Sequence, residues 1–277
     1  MSVPADGAPT THAPLRLNPM RALLVLAVWL ALTIGIGYLV SNGQKHPFAY
    51  AASRQIGWPW LAAATFAGFV AWRAGVDVMG LHRPSPASSI KLVWLPLIYA
   101  GVMLAADVLI GLPAADVMVI LAVNMLLVGL SEELMFRSIL FRGLLSRFRL
   151  WPAILLTSLL FGLVHSLNVF TTGQLDQAVL QSAAASMQGL AYLAIRIRTR
   201  SVWPMVIVHA LWDFSLILPG TTHPASATMD AGWSWTPLLV ALPVLMYGLF
   251  LLRRVGRIDV HWHDNDVVNE TDNKGTE

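Results

Sequence analysis

The sequence contains no cysteine and few charged residues for a chain of its length. Of its 277 residues, 12% are charged and 56% are hydrophobic, whereas soluble domains usually carry about 25% charged residues. The absence of cysteine excludes disulfides, thiolate metal ligands, a thiol nucleophile and lipidation at cysteine. The sequence has a small excess of basic over acidic residues. We interpret the basic residues as cytoplasmic side chains that fix the membrane topology and face anionic lipid, so no nucleic-acid partner is expected.

Long apolar runs separate the few charged residues. Eight of these runs can each cross a bilayer, which takes roughly 20 residues of helix. They predict an all-α fold, a polytopic transmembrane bundle of about eight helices. The runs cover residues 22–40, 58–72, 92–112, 117–140, 151–170, 178–195, 202–218 and 235–252. Prolines near or inside several runs do not exclude a span, because neighbouring helices re-satisfy the backbone there.

The distribution of Lys and Arg supports eight spans with both termini in the cytoplasm. With this count, nearly every Lys and Arg outside the spans falls on the cytoplasmic side, and Lys45 and Arg54 are the exceptions. This bias follows the positive-inside rule. We therefore expect a multi-pass integral protein of the plasma (cytoplasmic) membrane. Residues 1–20 and the acidic segment 258–277 are expected to be disordered tails flanking a helical domain at 21–257.

Seven Asp, Glu, Arg and His residues fall inside the predicted spans, where a charged side chain costs at least about 2.5 to 3.5 kcal/mol on insertion scales. Such residues are functional candidates by default. Asp107 has no patterned neighbours and is interpreted as a helix-packing or cavity residue. The other six form three short patterns on three helices: Glu132, Glu133, Arg137, His165, His209 and Asp213.

The first pattern is Glu132-Glu133-x-x-x-Arg137. Glu133 and Arg137 are four residues apart, so they share a helix face and can pair. Glu132 points about 100° away from Glu133. Glu132 lacks an arginine partner. It is the candidate general base, because a carboxylate in an apolar site accepts a proton more readily than one in water.

The other two patterns place histidines inside spans. Phe161-x-x-x-His165 lies on the fifth predicted helix, and His209-x-x-x-Asp213 lies on the seventh. Asp213 can orient the His209 imidazole and fix its tautomer. These residues also have structural interpretations. A single histidine in a membrane helix often does no more than hydrogen-bond a neighbouring helix. The Glu133–Arg137 pair could likewise serve only to stabilise the fold. Six such residues in three patterns are hard to explain as unrelated packing.

Together the three patterns resemble the CAAX protease and bacteriocin-processing family, which includes the type II CAAX prenyl endopeptidases. Family members carry Glu-Glu-x-x-x-Arg, Phe-x-x-x-His and His-x-x-x-Asn/Asp in this order on core helices, here within about residues 92–220. The resemblance implies an eight-helix intramembrane endopeptidase with a catalytic cavity open to the cytosol. It implies that Glu132 and His165 activate a water, that His209 and Asp213 stabilise the oxyanion, and that Glu133 and Arg137 support them.

One position departs from the prenyl endopeptidases, which carry Asn where this chain has Asp213. An ionised carboxylate cannot donate to an oxyanion. Asp213 therefore orients His209, is itself protonated, or helps hold a metal. Zinc bound by Glu132, His165, His209 and Asp213 is one possibility. We favour a metal-free glutamate mechanism without a cofactor, because the short-range His-x-x-x-His ligand pair of zincins is absent.

The expected partners are the lipid bilayer and a peptide or protein substrate at the cytoplasmic leaflet, either membrane-associated or of the prenylated type. Two alternatives come from other functional classes. A proton-coupled transporter would also bury Glu, His and Arg, but it predicts inverted repeats, and the sequence shows none. A non-catalytic membrane scaffold or immunity protein would keep the motifs as an inherited polar core.

Overall fold

The structure is a computed structural model that describes residues 14–222, 235–253 and 255. Within these ranges it is helical and contains no strand, which confirms the predicted all-α membrane bundle. The predicted tail at 258–277 and most of the predicted tail at 1–20 lie outside the described residues. The main helices are α1 (Pro19–Val40), α2 (Phe48–Arg54), α3 (Trp58–Ala74), α4 (Ala87–Ile110), α5 (Ala115–Leu145), α6 (Leu150–Asn168), α7 (Leu175–Thr199), α8 (Trp203–Thr222) and α9 (Thr236–Leu252).

Each of the eight predicted spans forms a helix. Six of them, α1 and α4 to α8, are long and apolar enough to cross a membrane, with lengths from 19 to 31 residues. Helices α3 and α9 have 17 residues each, which corresponds to about 25 Å at 1.5 Å per residue and lies at the short end for a span. The side of the membrane on which the termini lie stays a prediction.

Helices α5 and α7 form the interior of the bundle and are the most buried of the six long spans. Helix α7 packs against α6 and α9, whereas α5 packs against α3 and α8, and α4 also contacts α8. A helix surrounded by other helices can carry polar groups away from lipid. This arrangement explains why the acidic and basic motif residues of α5 can lie within a membrane span.

Small residues set the closest helix contacts in the bundle. A Cβ atom added at Gly248 of α9 would lie 2.6 Å from Cα and 2.9 Å from Cβ of Ala191 on α7. Membrane helices gain packing energy from such close approach, because lipid is as apolar as their side chains. The short helix α9 is therefore held to α7 by backbone-to-backbone contact.

The segment that follows α3 binds the interior helices through its backbone carbonyl groups. The carbonyl of Met79 accepts hydrogen bonds from Ser138 Oγ of α5 at 2.8 Å and from Arg196 Nη2 of α7 at 3.1 Å. Both side chains are fully buried. Gly80 has a φ of +72° and lies directly against the Arg196 guanidinium, so a side chain there would displace it.

The next three carbonyl groups of the same segment bind the start of α8. The amide of Val202 donates to the Gly80 carbonyl at 2.9 Å, Trp203 Nε1 to that of Leu81 at 2.7 Å, and Ser201 Oγ to that of His82 at 2.6 Å. We refer to residues 79–82 as the carbonyl strap. It fixes the start of α8 relative to α5 and α7.

Asn124 of α5 satisfies three backbone groups at once. Its Oδ1 accepts from the amide of Gly57 at 2.8 Å, and its Nδ2 donates to the carbonyls of Ala52 at 2.7 Å and Gln55 at 2.8 Å. The side chain is fully buried. It therefore anchors the connection between α2 and α3 to the interior of the bundle.

Replacing Asn124 by leucine is expected to lower the stability of the protein by about 3 kcal/mol or more. The substitution keeps the size of the side chain but leaves one amide and two carbonyl groups unpaired, each costing about 1 to 3 kcal/mol. Intrinsic tryptophan fluorescence during heating in detergent measures the effect. Val123→Leu, at an exposed position on the same helix, is the control, and equal melting temperatures for the two variants would contradict the anchoring role.

Gly248→Ala is expected to destabilise the bundle by about 1 to 3 kcal/mol, because the added methyl group overpacks the contact with Ala191. Gly101→Ala is the matched control, since a Cβ on Gly101 meets no atom within 4 Å. The comparison uses the same thermal unfolding measurement. If both variants melt like the unmodified protein, α9 does not depend on this close contact.

Candidate active site

Helix α5 changes its geometry immediately after the two glutamates. It is α-helical from Ala115 to Glu133 and continues as a π-helix from Leu134 to Leu140, where every residue is buried. Segments of π-helix are rare and frequently occur at functional sites. The wider turns change the direction in which residues after Glu133 face, including Arg137.

A glycine on α5 allows helix α8 to approach the glutamates. A Cβ atom on Gly129 would lie 3.0 Å from the Val206 carbonyl oxygen and 3.1 Å from the Ala210 amide nitrogen. Helix α8 therefore packs against the backbone of α5 one turn before Glu133. This contact brings His209, the neighbour of Ala210, within reach of both glutamates.

Glu133 connects two of the three sequence patterns. Its Oε1 lies 2.8 Å from His209 Nδ1 and 3.2 Å from Arg137 Nη1. The Glu133 side chain is fully buried, that of Arg137 is 1% exposed and that of His209 is 7% exposed. One oxygen of the Glu133 carboxylate thus contacts both the Arg137 guanidinium on the same helix and the His209 imidazole on α8.

Glu132 faces the opposite nitrogen of the same imidazole and also faces the second histidine. Its Oε2 lies 3.7 Å from His209 Nε2 and 3.9 Å from His165 Nε2. Asp213 Oδ2 lies 3.4 Å from His209 Nε2. The side chains of Glu132 and His165 are each 15% exposed and that of Asp213 is 21% exposed, so this side of the cluster is partly accessible.

Hydrogen bonds donated by Nδ1–H orient both imidazole rings. His165 Nδ1 lies 2.7 Å from the Phe161 carbonyl oxygen, which can only accept, so this nitrogen carries the proton. His209 Nδ1 faces the Glu133 carboxylate in the same way. In each neutral ring, Nε2 is then the acceptor and points toward Glu132.

The Arg137 guanidinium lies against aromatic rings as well as against Glu133. Its Cζ is 3.9 Å from the ring centre of Phe161 and 5.5 Å from that of Tyr192. Its nitrogens make no hydrogen bond to the part of the chain that the structure describes. Cation–π contacts gain strength when they are desolvated, as this one is.

The structure brings all six motif residues together and adds one contact that the spacing did not predict. Asp213 lies against His209 Nε2 at 3.4 Å, as the spacing of these two residues predicted. The shorter contact, 2.8 Å to His209 Nδ1, comes from Glu133 on another helix. Spacing along one helix identifies neighbours on that helix only, so the contact between helices was missed.

Two aromatic residues complete the surroundings of the cluster. The Phe161 ring packs edge-on against His165, with ring centres 4.8 Å apart, while its carbonyl group binds the same histidine. Tyr192 of α7 is 1% exposed, and its ring centre lies 5.6 Å from that of His209. Gln188 donates to its hydroxyl at 3.1 Å. The sequence analysis did not identify Tyr192, because its four-residue spacing from Gln188 indicates only that the two side chains share a helix face.

Asp107 lies apart from the three patterns, as the sequence interpretation placed it. It is 4% exposed on α4, and its Oδ2 has no hydrogen-bond partner within the described ranges.

The sequence left zinc open as an alternative, with Glu132, His165, His209 and Asp213 as its ligands. Zinc requires ligand atoms about 2.0 to 2.3 Å from a common point in near-tetrahedral geometry. Among the described residues, no group of three or more His, Asp or Glu side chains is placed to hold a metal ion.

Comparisons with known proteins gave one match, and it spans the helices that carry these motif residues. No curated protein and no solved structure matches the chain significantly. The family model described as "Type II CAAX prenyl endopeptidase Rce1-like" matches residues 114–215, from the start of α5 to the second half of α8. This segment contains all six motif residues and lies within the predicted 92–220 core. Over residues 114–215 the chain therefore matches the Rce1-like family of membrane CAAX-type endopeptidases, as the three patterns predicted.

Proposed function

We propose that the protein is an intramembrane endopeptidase that hydrolyses a peptide bond in a membrane-associated or prenylated-type protein or peptide. The observation that carries the proposal is the convergence of Glu132 Oε2 with Nε2 of two histidines, in a cluster whose side chains are partly exposed. The match to a protease family over the same residues supports the same class of reaction.

In this proposal, Glu132 is the general base. Its Oε2 is buried and has no hydrogen-bond partner in the described residues. The separations of 3.7 and 3.9 Å to the two histidines are too long for direct hydrogen bonds but suit a bridging water. That water attacks the substrate carbonyl carbon, its proton passes to Glu132, and His165 Nε2 accepts its second hydrogen bond.

His209 stabilises the oxyanion that forms on the substrate. Carboxylates face both of its ring nitrogens, Glu133 at Nδ1 and Asp213 at Nε2, so a ring that carries both protons can donate from Nε2 to the oxyanion. In this arrangement Asp213 acts through His209 and has no need to donate itself. The tetrahedral species then collapses, the C–N bond breaks, and protonated Glu132 returns the proton to the leaving amine.

The pair of Glu133 and Arg137 positions the reacting groups. Glu133 sets the ring orientation of His209, and Arg137 holds Glu133 while it packs on Phe161, whose carbonyl orients His165. Rigid hydrogen-bond partners of this kind reduce the reorganisation that a reaction requires. We also propose that a catalytic cavity opens toward the cytosol, as the family resemblance implies.

Glu132→Gln is expected to reduce cleavage by about a hundredfold or more, because general bases typically contribute 10²- to 10⁴-fold and the amide keeps the shape of the side chain. New peptide termini, identified by mass spectrometry in membranes with each variant, measure cleavage and identify the substrate. Asp116→Asn, an exposed acid at the start of the same helix, is the matched control.

Equal sets of termini from folded, equally abundant Glu132→Gln and unmodified protein would reject the peptidase proposal. A parallel measurement with a chelator tests the mechanism. Cleavage that survives chelation supports glutamate chemistry, whereas cleavage that requires added zinc would reject the metal-free mechanism.

Arg137→Met is expected to lower the yield of folded protein, because it leaves the Glu133 charge buried without its cation. Breaking a buried ion pair costs about 3 to 5 kcal/mol. The double variant Glu133→Gln/Arg137→Met removes both charges and should recover much of the folded yield without recovering activity. Size-exclusion chromatography in detergent measures yield, with Arg149→Met at an exposed position as control. Equal yields for Arg137→Met and Arg149→Met would show that the pair does not stabilise the fold.

A further inference from the structure

A pocket of about 550 Å³ lies where α1 begins and α3 ends, away from the motif residues. The Leu15 amide donates to the Arg73 carbonyl at 2.8 Å, which attaches the segment before α1 to the end of α3. Arg21 Nη1 donates to the Arg16 carbonyl at 2.7 Å. The pocket is lined by Pro14, Leu15, Arg16, Arg21, Phe69, Val70 and Arg73.

Three arginines line this pocket. No acidic side chain among the described residues lies within ion-pair distance of Arg16, Arg21 or Arg73. Two of them, Arg16 and Arg21, are exposed. Three guanidinium groups of like charge around one cavity repel each other and favour an anion between them.

The rest of the lining is apolar and lies at the end of membrane helices. Phe69 of α3 is 58% exposed, and Val70 forms part of the buried core. Arg73 lies in the last turn of α3, and Arg21 in the first turn of α1. A pocket with arginines at helix ends and an exposed aromatic ring one turn deeper matches an amphiphile with an acidic head and an apolar chain.

We propose that this pocket is a binding site for one anionic phospholipid. The phosphate binds among Arg16, Arg21 and Arg73, since one guanidinium group can donate two parallel hydrogen bonds to phosphate oxygens. The acyl chain passes along Phe69 at the lipid-facing side of α3. A bound lipid would then add to the contacts that hold the segment before α1 in place, which are the Leu15–Arg73 backbone hydrogen bond and the packing of Leu15 and Leu17 against the core. This site is independent of the proposed peptidase activity.

Native mass spectrometry of delipidated protein, titrated with phosphatidylglycerol, phosphatidylcholine or inorganic phosphate, tests the proposal. The unmodified protein should bind phosphatidylglycerol in a 1:1 complex, more tightly than either other probe. Each guanidinium near a phosphate contributes about fivefold, so the triple variant R16Q/R21Q/R73Q is expected to lose about a hundredfold. The matched control R147Q/R149Q/R198Q removes the same charge at exposed positions and should lose less than about twofold.

Phe69→Ala separates a lipid from a free anion. It should weaken binding of phosphatidylglycerol while leaving binding of inorganic phosphate unchanged. The proposal is overturned if both triple variants lose affinity equally, because the effect is then one of general charge. It is also overturned if inorganic phosphate binds as tightly as the lipid. Arg16→Gln alone, at an exposed position, provides the same comparison should the triple variant fail to fold.

Discussion

The buried charge of Glu133 is the constraint on which the rest of the site depends. A fully buried carboxylate in a membrane span is costly unless it is paired and hydrogen-bonded. Arg137 supplies the opposite charge and His209 the hydrogen bond, both to the same oxygen atom. Arg137 in turn has to be accommodated, and the faces of Phe161 and Tyr192 surround it. The helices that carry these groups are thereby fixed relative to one another.

The two adjacent glutamates differ in burial and in contacts, because their side chains point into different surroundings. The side chain of Glu133 is fully buried and has two protein partners, whereas that of Glu132 is 15% exposed and is separated from both histidines by more than 3.5 Å. One carboxylate is therefore fixed by the protein, and the other is free to bind a water or a substrate. The 100° rotation between neighbouring helix positions accounts for this difference.

The sequence was informative wherever a pattern lies along a single helix. Apolar length predicted all eight helices, and four-residue spacings identified Glu133 with Arg137 and located both histidines. Contacts between helices carry no such signal. The hydrogen bond that His209 donates to Glu133, the three backbone groups bound by Asn124 and the contact of the buried Arg196 with Met79 join residues that are far apart in the chain. The π-helix was also unpredictable, because a hydrophobic run has the same composition in either kind of helix.

The carbonyl strap has a consequence for how the protein is made. Its backbone groups at residues 79–82 bind partners on Arg196, Ser201 and Trp203, which follow them by 117 to 122 residues. During synthesis these carbonyl groups are translated long before Arg196, Ser201 and Trp203. Ser138 of α5 can satisfy the Met79 carbonyl first, but the strap is complete only once α7 and the start of α8 have been made. Helix α8 also carries His209, so a nascent chain acquires the last partners of the strap and the last helix of the motif cluster at the same stage of biogenesis.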